Sequence, residues 1–238
     1  MDKVDWFEHS VPTKLCIIGL RIFQQFSLGE NFSITTMDAI MRLYTDMDKK
    51  VQPADSNRYT HYMPATFSVL ATSSADYTSW EATRQWFVGE HLGYDVEHCC
   101  MIVTPVQIKG RWSCYFWNFK DEEIVVLDPM AMDKVPSIVE AFHEETIHML
   151  RTALSKCIHL YFRGWDVDLT HWEVQYRLKI SKCARLKNSG FYTSHFARYY
   201  TVLHWPLVCQ RLSTMRYRLV CQLLRMEGNE IKIPYLHE

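Results

Sequence analysis

The sequence lacks the features that would place it in a membrane or on a nucleic acid. No apolar run approaches the roughly 18 residues that a membrane-spanning helix needs. The charged start, MDKVDWFEHS, is not a secretory signal peptide by its pattern. Its 26 basic and 27 acidic residues leave a formal net charge of −1, so no strong field of one sign favours an anionic partner. We therefore expect neither a membrane nor a nucleic-acid partner.

Linkers, repeats and closely spaced cysteine pairs are also missing. The eight cysteines include no CxxC pair, which indicates reduced thiols in the cytosol or nucleus. No Gly/Ser-rich linker or low-complexity tract interrupts the chain, and 48% hydrophobic with 22% charged residues is ordinary globular usage. We predict a single domain over residues 1–238 with no cofactor.

The early part of the chain predicts helices. Apolar residues at helical spacing indicate a helix over residues 14–26, and Thr35 or Thr36 can cap a second one. A third helix is expected to open at Ser79.

The centre of the chain changes to strand patterns. Residues 101–106 form an apolar run, and residues 112–119 and 123–127 predict a β-hairpin. Two further strands are predicted at 157–162 and 172–180.

Three more helices complete the pattern. Pro136 can occupy the first position of a long helix, and another helix follows Gly190. The last is predicted over residues 206–228 and closed by Gly228. Helices, then strands with an inserted helix, then helices predict an α+β fold with a mixed central sheet packed by helices.

Two short segments carry a motif with chemical meaning. Arg111-Trp112 precedes Asp128-Pro129 by 17 residues, which suits neighbouring antiparallel strands. Asn188-Ser189-Gly190 follows 61 residues after Asp128 and opens a helical run. These segments resemble the SUMO-protease and adenain group of papain-like proteases, which process ubiquitin-like proteins. There a strand carries His-Trp, the next ends in Asp-Ser, and Asp-Cys-Gly begins a helix.

The resemblance implies an active site that has lost its working groups. It puts Arg111 in the place of the base, Ser189 in the place of the nucleophile, and Cys183 in the place of the oxyanion-stabilising glutamine. Asp128 is the one triad residue retained. A serine needs a neighbouring base, and arginine stays protonated, so the inherited chemistry is expected to fail. An ion pair between Arg111 and Asp128 would fill the former base site.

The resemblance extends to the substrate side of the site. It covers about residues 28–203 and is closest to divergent plant members of the group. It implies that Trp112 and Gly190 lie at the slot for a Gly-Gly tail, and that Phe32 takes the place of a tryptophan in the substrate-binding region.

Histidines offer two competing interpretations. His143 and His148, in HEETIH, lie five residues apart, so on a helix they diverge by about 140°, and we interpret them as solvated rather than metal ligands. His171-Trp172 is a second His-Trp pair, but no strand ending in Asp follows it, so an ordinary strand residue is preferred. A dyad of His171 with Cys183 stays an alternative.

Two further features have ordinary explanations. Asp128 could simply end a strand in a turn with Pro129. The last helix carries four arginines, which we interpret as a solvated face and not as a nucleic-acid patch: Arg211, Arg216, Arg218 and Arg225.

The sequence therefore predicts a pseudoprotease that binds a protein partner, with a ubiquitin-like protein as one candidate, and that acts in the cytosol or nucleus. The alternative is an active cysteine-type peptidase or deSUMOylating isopeptidase with a rearranged nucleophile, Cys183 or Ser189. No metal is expected.

Overall fold

A mixed five-stranded sheet lies at the centre of the structure, a computed structural model that describes residues 4–51, 60–73, 81–131, 134–177, 185–200 and 211–232. The strands are β1 (Asp5–His9), β2 (Leu15–Ile18), β3 (Thr60–Tyr62), β4 (Met101–Ile108), β5 (Arg111–Asn118), β6 (Glu123–Leu127) and β7 (Glu173–Tyr176). Strands β3 to β7 pair in chain order. The β4–β5–β6 ladder is antiparallel, while β3 and β7 run parallel to their neighbours at the two edges.

Helices cover both faces of this sheet. They are α1 (Gly19–Ile22), which continues as a π-helical turn (Phe23–Ser27), α2 (Ile34–Val51), α3 (Ala65–Thr72), α4 (Glu81–Phe87), α5 (Pro136–Tyr161), α6 (Ser189–Tyr199) and α7 (Leu212–Leu224). Among the described helices, none is both long enough and apolar enough to cross a bilayer. The α+β class with a mixed sheet is confirmed.

Alternation along β5 builds two hydrophobic cores. Trp112, Cys114 and Phe116 face the core shared with α2, α6 and α7. Tyr115 and Trp117 face the core shared with α3, α4 and α5. Successive strand residues point to opposite faces, and both faces here are covered by helices. The continuous apolar strand patterns follow from this double burial.

The predicted β-hairpin is confirmed as β5 and β6. Two residues with positive φ, Lys109 (50°) and Gly110 (77°), form the turn that joins β4 to β5. Positive φ at both central positions is the geometry of the tight hairpin turns that match strand twist. This turn returns the chain so that Arg111 begins β5.

The prediction of a helix over residues 14–26 is wrong in its first part. Residues Leu15–Ile18 form a strand that pairs antiparallel with β1, and the helix begins only at Gly19. Along this strand Leu15 and Ile17 are buried, while Cys16 is half-buried and Ile18 is exposed, as strand alternation requires. Pairing with β1 decides between helix and strand here, and local periodicity gives no information about that pairing.

Boundary predictions differ elsewhere. Ser33, and not Thr35 or Thr36, caps α2, because its Oγ accepts a hydrogen bond from the Thr36 backbone N–H at 3.2 Å. The last helix ends at Leu224, before Gly228. Ser79 and residues 206–210 lie outside the described residues, and the extent of the domain stays a prediction.

One predicted strand is a helix. Residues 157–162 fall at the end of α5 and just beyond it, where Leu154, Cys157 and Ile158 continue the buried helical stripe. The β-branched and aromatic composition of this segment favoured a strand, but the packing of the long helix on the sheet determines its conformation. The strand predicted at 172–180 is present as β7 over Glu173–Tyr176, and residues 178–180 lie outside the described residues.

Candidate active site

The first residue of β5 and the residue after β6 meet at one edge of the sheet. Antiparallel pairing of Cys114 with Leu127 sets this register. Arg111 Nε donates a hydrogen bond to Asp128 Oδ1 at 2.8 Å, and Arg111 Nη2 donates to Oδ2. The guanidinium and the carboxylate therefore form the two-pronged ion pair that their planar shapes favour. The pair is largely buried, with side-chain exposures of 17% and 1%.

Asp128 has two further donors. The Met130 backbone N–H donates to Oδ1 at 2.8 Å, and His143 Nε2 lies 3.0 Å from Oδ2. An ionised carboxylate only accepts hydrogen bonds, so His143 carries its proton on Nε2. The Tyr115 hydroxyl, 2.7 Å from Nδ1, then donates to the other ring nitrogen.

His143 is a buried neutral histidine on α5. Its side chain is fully buried, and burial together with the nearby positive charge of Arg111 lowers its pKa to about 3. The interpretation of His143 as a solvated residue is therefore wrong. The spacing in HEETIH does not show which face of α5 is buried, and His143 lies on the face that packs against the sheet edge at Asp128.

Ser189 begins α6 and is fully buried. Its Oγ donates a hydrogen bond to the Leu186 carbonyl at 2.7 Å and accepts one from the Trp112 backbone N–H at 3.1 Å. The Asn31 Nδ2 lies 3.4 Å away. Among the described hydrogen-bond partners of Ser189 Oγ, none is a group that could accept its proton as a base.

Asn31 closes the start of α6. Its Oδ1 accepts a hydrogen bond from the Gly190 backbone N–H at 2.9 Å, and its Nδ2 donates to the Gly110 carbonyl at 2.8 Å. The sequence pattern does not single out Asn31. The signal available was its position next to Phe32, in a segment that the resemblance already assigned to the substrate side.

The three residues predicted at the substrate slot are packed against one another. Trp112 Nε1 donates a hydrogen bond to the Phe32 carbonyl at 3.0 Å. A Cβ added to Gly190 would lie 2.9 Å from Asn31 Oδ1, 2.9 Å from Trp112 Cδ1 and 3.0 Å from Phe32 Cβ. Trp112 and Phe32 are 0% and 2% exposed. The structure thus brings the three together in a closed arrangement.

Arg216 supports the same region from α7. It donates hydrogen bonds to the Gln25 carbonyl and, at 3.1 Å, to Asn188 Oδ1. Its guanidinium also lies 5.1 Å from the centre of the Phe191 ring. Arg216 is 5% exposed, so the prediction that it belongs to a solvated arginine face is wrong for this residue.

The remaining sequence candidates are not part of this arrangement. Cys183 lies outside the described residues. His171 has a side chain that is 87% exposed and lies 3.7 Å from Asp168. His148 is exposed on α5, while His143 is buried beside Asp128, so the two do not converge on a metal. In the described part of the chain, only Asp5, Glu8 and Cys16 form a group with metal-ligand spacing.

Arg-Trp on one strand, an aspartate after the next strand and Ser-Gly at a helix start lie together, as the resemblance to papain-like proteases predicts. The family model of the Ulp1 protease family, C-terminal catalytic domain, matches residues 30–206. The chain belongs to this family.

Curated relatives from Arabidopsis thaliana support this membership. Putative ubiquitin-like-specific protease 1B is 23% identical over 141 residues, covering 58% of this chain and 38% of the relative. Ubiquitin-like-specific protease 1A is 21% identical over 141 residues, covering 58% of this chain and 26% of the relative. The chain thus spans well under half the length of these relatives.

Solved structures share the fold. The SUMO protease Ulp1 with its catalytic cysteine oxidized to a sulfenic acid has a TM-score of 0.61 at 14% identity, covering 92% of this chain and 86% of that one. The C-terminal Ulp1 protease domain in complex with Smt3, the yeast ortholog of SUMO, has a TM-score of 0.57 at 13% identity, covering 93% and 86%. The predicted ubiquitin-like-protease fold is confirmed.

Proposed function

We propose that this chain is a catalytically inactive member of the Ulp1 family that binds a protein partner. The hydrogen bonding of Ser189 carries the proposal. Its hydroxyl proton points to the Leu186 carbonyl, which cannot take a proton, and the residue is fully buried. Serine attacks a carbonyl only when an adjacent base removes its proton.

Neither Arg111 nor His143 can act as that base. Arg111 stays protonated and is paired with Asp128. His143 has both ring nitrogens occupied, by Asp128 and by the Tyr115 hydroxyl. A pKa of about 3 also makes this imidazole a weak base near neutral pH.

The helix start is occupied as well. Backbone N–H groups at a helix N-terminus can stabilise the oxyanion of an acyl-transfer reaction. Here the Gly190 N–H donates to Asn31 Oδ1, and the surrounding Phe32 and Trp112 leave no room for a Cβ. A substrate carbonyl would have to displace the Asn31 side chain to reach this donor.

The partner that we propose is a ubiquitin-like protein. The Ulp1 domain of known structure was solved with Smt3, which makes this class of protein the first candidate. Because Trp112 and Phe32 are packed together, we infer that the partner's globular body binds, without insertion of its C-terminal tail into the slot. We also infer a cytosolic or nuclear setting, on the cysteine usage.

Calorimetric titration with SUMO and with SUMO lacking its C-terminal Gly-Gly would test this inference. We expect the two dissociation constants to agree within about twofold. Loss of binding on removal of the tail would contradict the closed slot. Absence of binding by SUMO, ubiquitin and related ubiquitin-like proteins would contradict the proposed partner class.

A gain-of-function variant tests the proposed inactivity. The Arg111→His, Ser189→Cys double variant restores a base and a thiol, and adding Asn31→Ala frees the Gly190 N–H. We expect turnover of a SUMO C-terminal fluorogenic substrate in the triple variant to exceed that in the double variant. Turnover by the natural chain equal to that of the triple variant would contradict the proposed inactivity.

A further inference from the structure

A separate cavity of about 280 Å³ lies beside α2, away from Ser189. Its walls come from α2, the turn between β1 and β2, β3, and residues around α4. None of the residues that surround Ser189 lines it. Its volume is close to the lower end of the range of about 300–1,000 Å³ that is usual for small-molecule sites.

One part of the cavity wall is apolar. Met41 and Tyr62 come from α2 and β3, while Trp86, Leu92 and Met226 come from the segments packed against them. This wall is part of the hydrophobic cores, since Met41 is 1% exposed and Leu92 is 6% exposed. Such a surface receives a compact apolar or aromatic body.

Two cations on α2 also line the cavity. Arg42 Nη1 donates to the carbonyls of Val11 at 3.0 Å and Thr13 at 2.7 Å, and Nη2 donates to Thr13 Oγ1 at 3.1 Å. Lys49 Nζ donates to the His91 carbonyl. All of these acceptors are neutral, so they satisfy hydrogen bonds without balancing the charge. Burial lowers the pKa of both Arg42 and Lys49, which reflects the cost of a desolvated cation.

The two carboxylates at the cavity are bound to other groups. Asp38 accepts from the Thr66 backbone N–H at 3.1 Å and from Thr66 Oγ1 at 2.5 Å, at the start of α3. Asp46 lies 2.9 Å from Lys50 Nζ. Neither Thr66 nor Lys50 lines the cavity. Asp38 attracts Arg42, and Asp46 attracts Lys49, so each carboxylate opposes the lowering of the pKa of its cation. Because Asp46 is shared with Lys50, the positive charge of Lys49 is only partly compensated.

Three histidines lie in the polar wall: His9, His61 and His91. His61 is 2% exposed, with Nδ1 2.9 Å from the Tyr94 hydroxyl. Within the described residues, Nε2 of His61 and Nε2 of His91 are buried without a hydrogen-bond partner. Burial lowers the pKa of His61 to about 3, a weaker interaction with the Trp86 carbonyl opposes this, and His91 lowers it further. The Trp86 and Gln85 backbones interact with these two rings without meeting hydrogen-bond geometry at Nε2. Buried polar atoms normally have well-placed partners, so both nitrogens can receive a better one.

We propose that the cavity binds a small organic carboxylate with a compact apolar or aromatic body. The carboxylate would lie against Lys49, which supplies positive charge, and against the neutral imidazoles of His61 and His91, whose Nε2 atoms supply hydrogen bonds. The body would pack on Met41, Trp86 and Met226. This site is independent of the inactive catalytic site.

Methionine-methyl NMR on the full chain provides a direct test, because Met41 and Met226 both line the cavity. 2-Naphthoate and phenylpropionate serve as probes, and the corresponding amides, which keep the shape and remove the charge, serve as controls. We expect saturable shifts of these two methyl signals, with the amides binding at least about tenfold more weakly. Equal binding of acid and amide, or no shift with any acid, would overturn the proposal.

Two lysines give a pair of variants with the same change. Lys49 lines the cavity, whereas Lys156 is exposed on α5 and does not line it. Lys49→Gln should weaken carboxylate binding about tenfold, and Lys156→Gln should leave it within about twofold. Met226→Trp, which fills the cavity without changing its charge, should abolish the Met41 shift. An unchanged affinity of Lys49→Gln for the carboxylate probes would contradict the proposed role of the Lys49 charge.

Discussion

The site around Ser189 and the cavity beside α2 contain similar polar residues but differ in how far their hydrogen bonds are satisfied. Around Ser189, described polar groups are bound to one another: Arg111 to Asp128, Asn31 to Gly190 and the Ser189 hydroxyl to Leu186. In the cavity, the Nε2 atoms of His61 and His91 have no well-placed hydrogen-bond partner among the described residues, and the charge of Lys49 is only partly compensated. Family resemblance directs attention to the first region, but hydrogen-bond satisfaction indicates that the second is the one with capacity for a ligand.

The largest expected effect is a loss of stability, and it tests how much the hydrogen bonds around Asp128 stabilise the fold. Asp128→Ala removes the acceptor of three donor residues and leaves the 17%-exposed Arg111 charge without its ion-pair partner. Breaking a buried ion pair costs about 3–5 kcal/mol of the free energy of unfolding. Urea unfolding measures this loss. The exposed Asp166→Ala is the control, with a change within about 0.5 kcal/mol. A loss below about 1 kcal/mol for Asp128→Ala would show that the site is not tightly coupled.

A single added methyl group compares the two regions directly. Gly190→Ala places a Cβ within 3.0 Å of three side chains, so overpacking should cost about 1–3 kcal/mol of the free energy of unfolding. Val11→Ile adds a methylene to the cavity wall, where space is available, and should change it by less than about 0.5 kcal/mol. Urea unfolding of both variants measures the contrast. If Gly190→Ala is as stable as the natural chain, the closed packing is wrong.

Acid stability tests the buried neutral state of His143. Its pKa falls from 6.5 to about 3 on folding, so the unfolded chain binds one more proton at this residue across that window. Stability that is complete above pH 6.5 is therefore lost as pH falls toward 3, by up to about 1.4 kcal/mol per pH unit.

Other buried groups contribute to the same profile, so the variant comparison isolates His143. His61 acts in the same direction, with a folded-state pKa also about 3. Asp38 acts in the opposite direction, because burial raises its pKa from 3.8 to about 6 and the folded chain binds the extra proton. In His143→Gln, the slope of unfolding free energy against pH between 3 and 6.5 should be smaller than in the natural chain. Identical slopes would mean that His143 is not held neutral.

Spacing and local pattern predicted the frame of the site but not its closure. The gap between Arg111 and Asp128 indicates neighbouring antiparallel strands, and these strands form. Ser189 does begin a helix. Asn31 reaches Gly190 from 159 positions away, and Arg216 reaches Asn188 from another helix. Such contacts depend on how elements pack, and a single sequence carries no local signal for them.

The errors in predicted secondary structure have the same cause. Leu15–Ile18 fits a helical stripe until β1 is available as a pairing partner. The end of α5 has strand composition, but a buried stripe on the central sheet keeps it helical. Non-local pairing and burial override local propensity in both places.

Hydrolysis by the unmodified chain tests the central claim most directly. Turnover of ubiquitin-like C-terminal fluorogenic substrates would be measured for the natural chain and for Ser189→Cys, beside an active SUMO protease. We expect neither protein to exceed the blank, because Arg111 is protonated and paired with Asp128, and because Ser189 is buried with no base among its described hydrogen-bond partners. Thiol-dependent turnover by the natural chain would contradict the account and make Cys183 the first residue to replace.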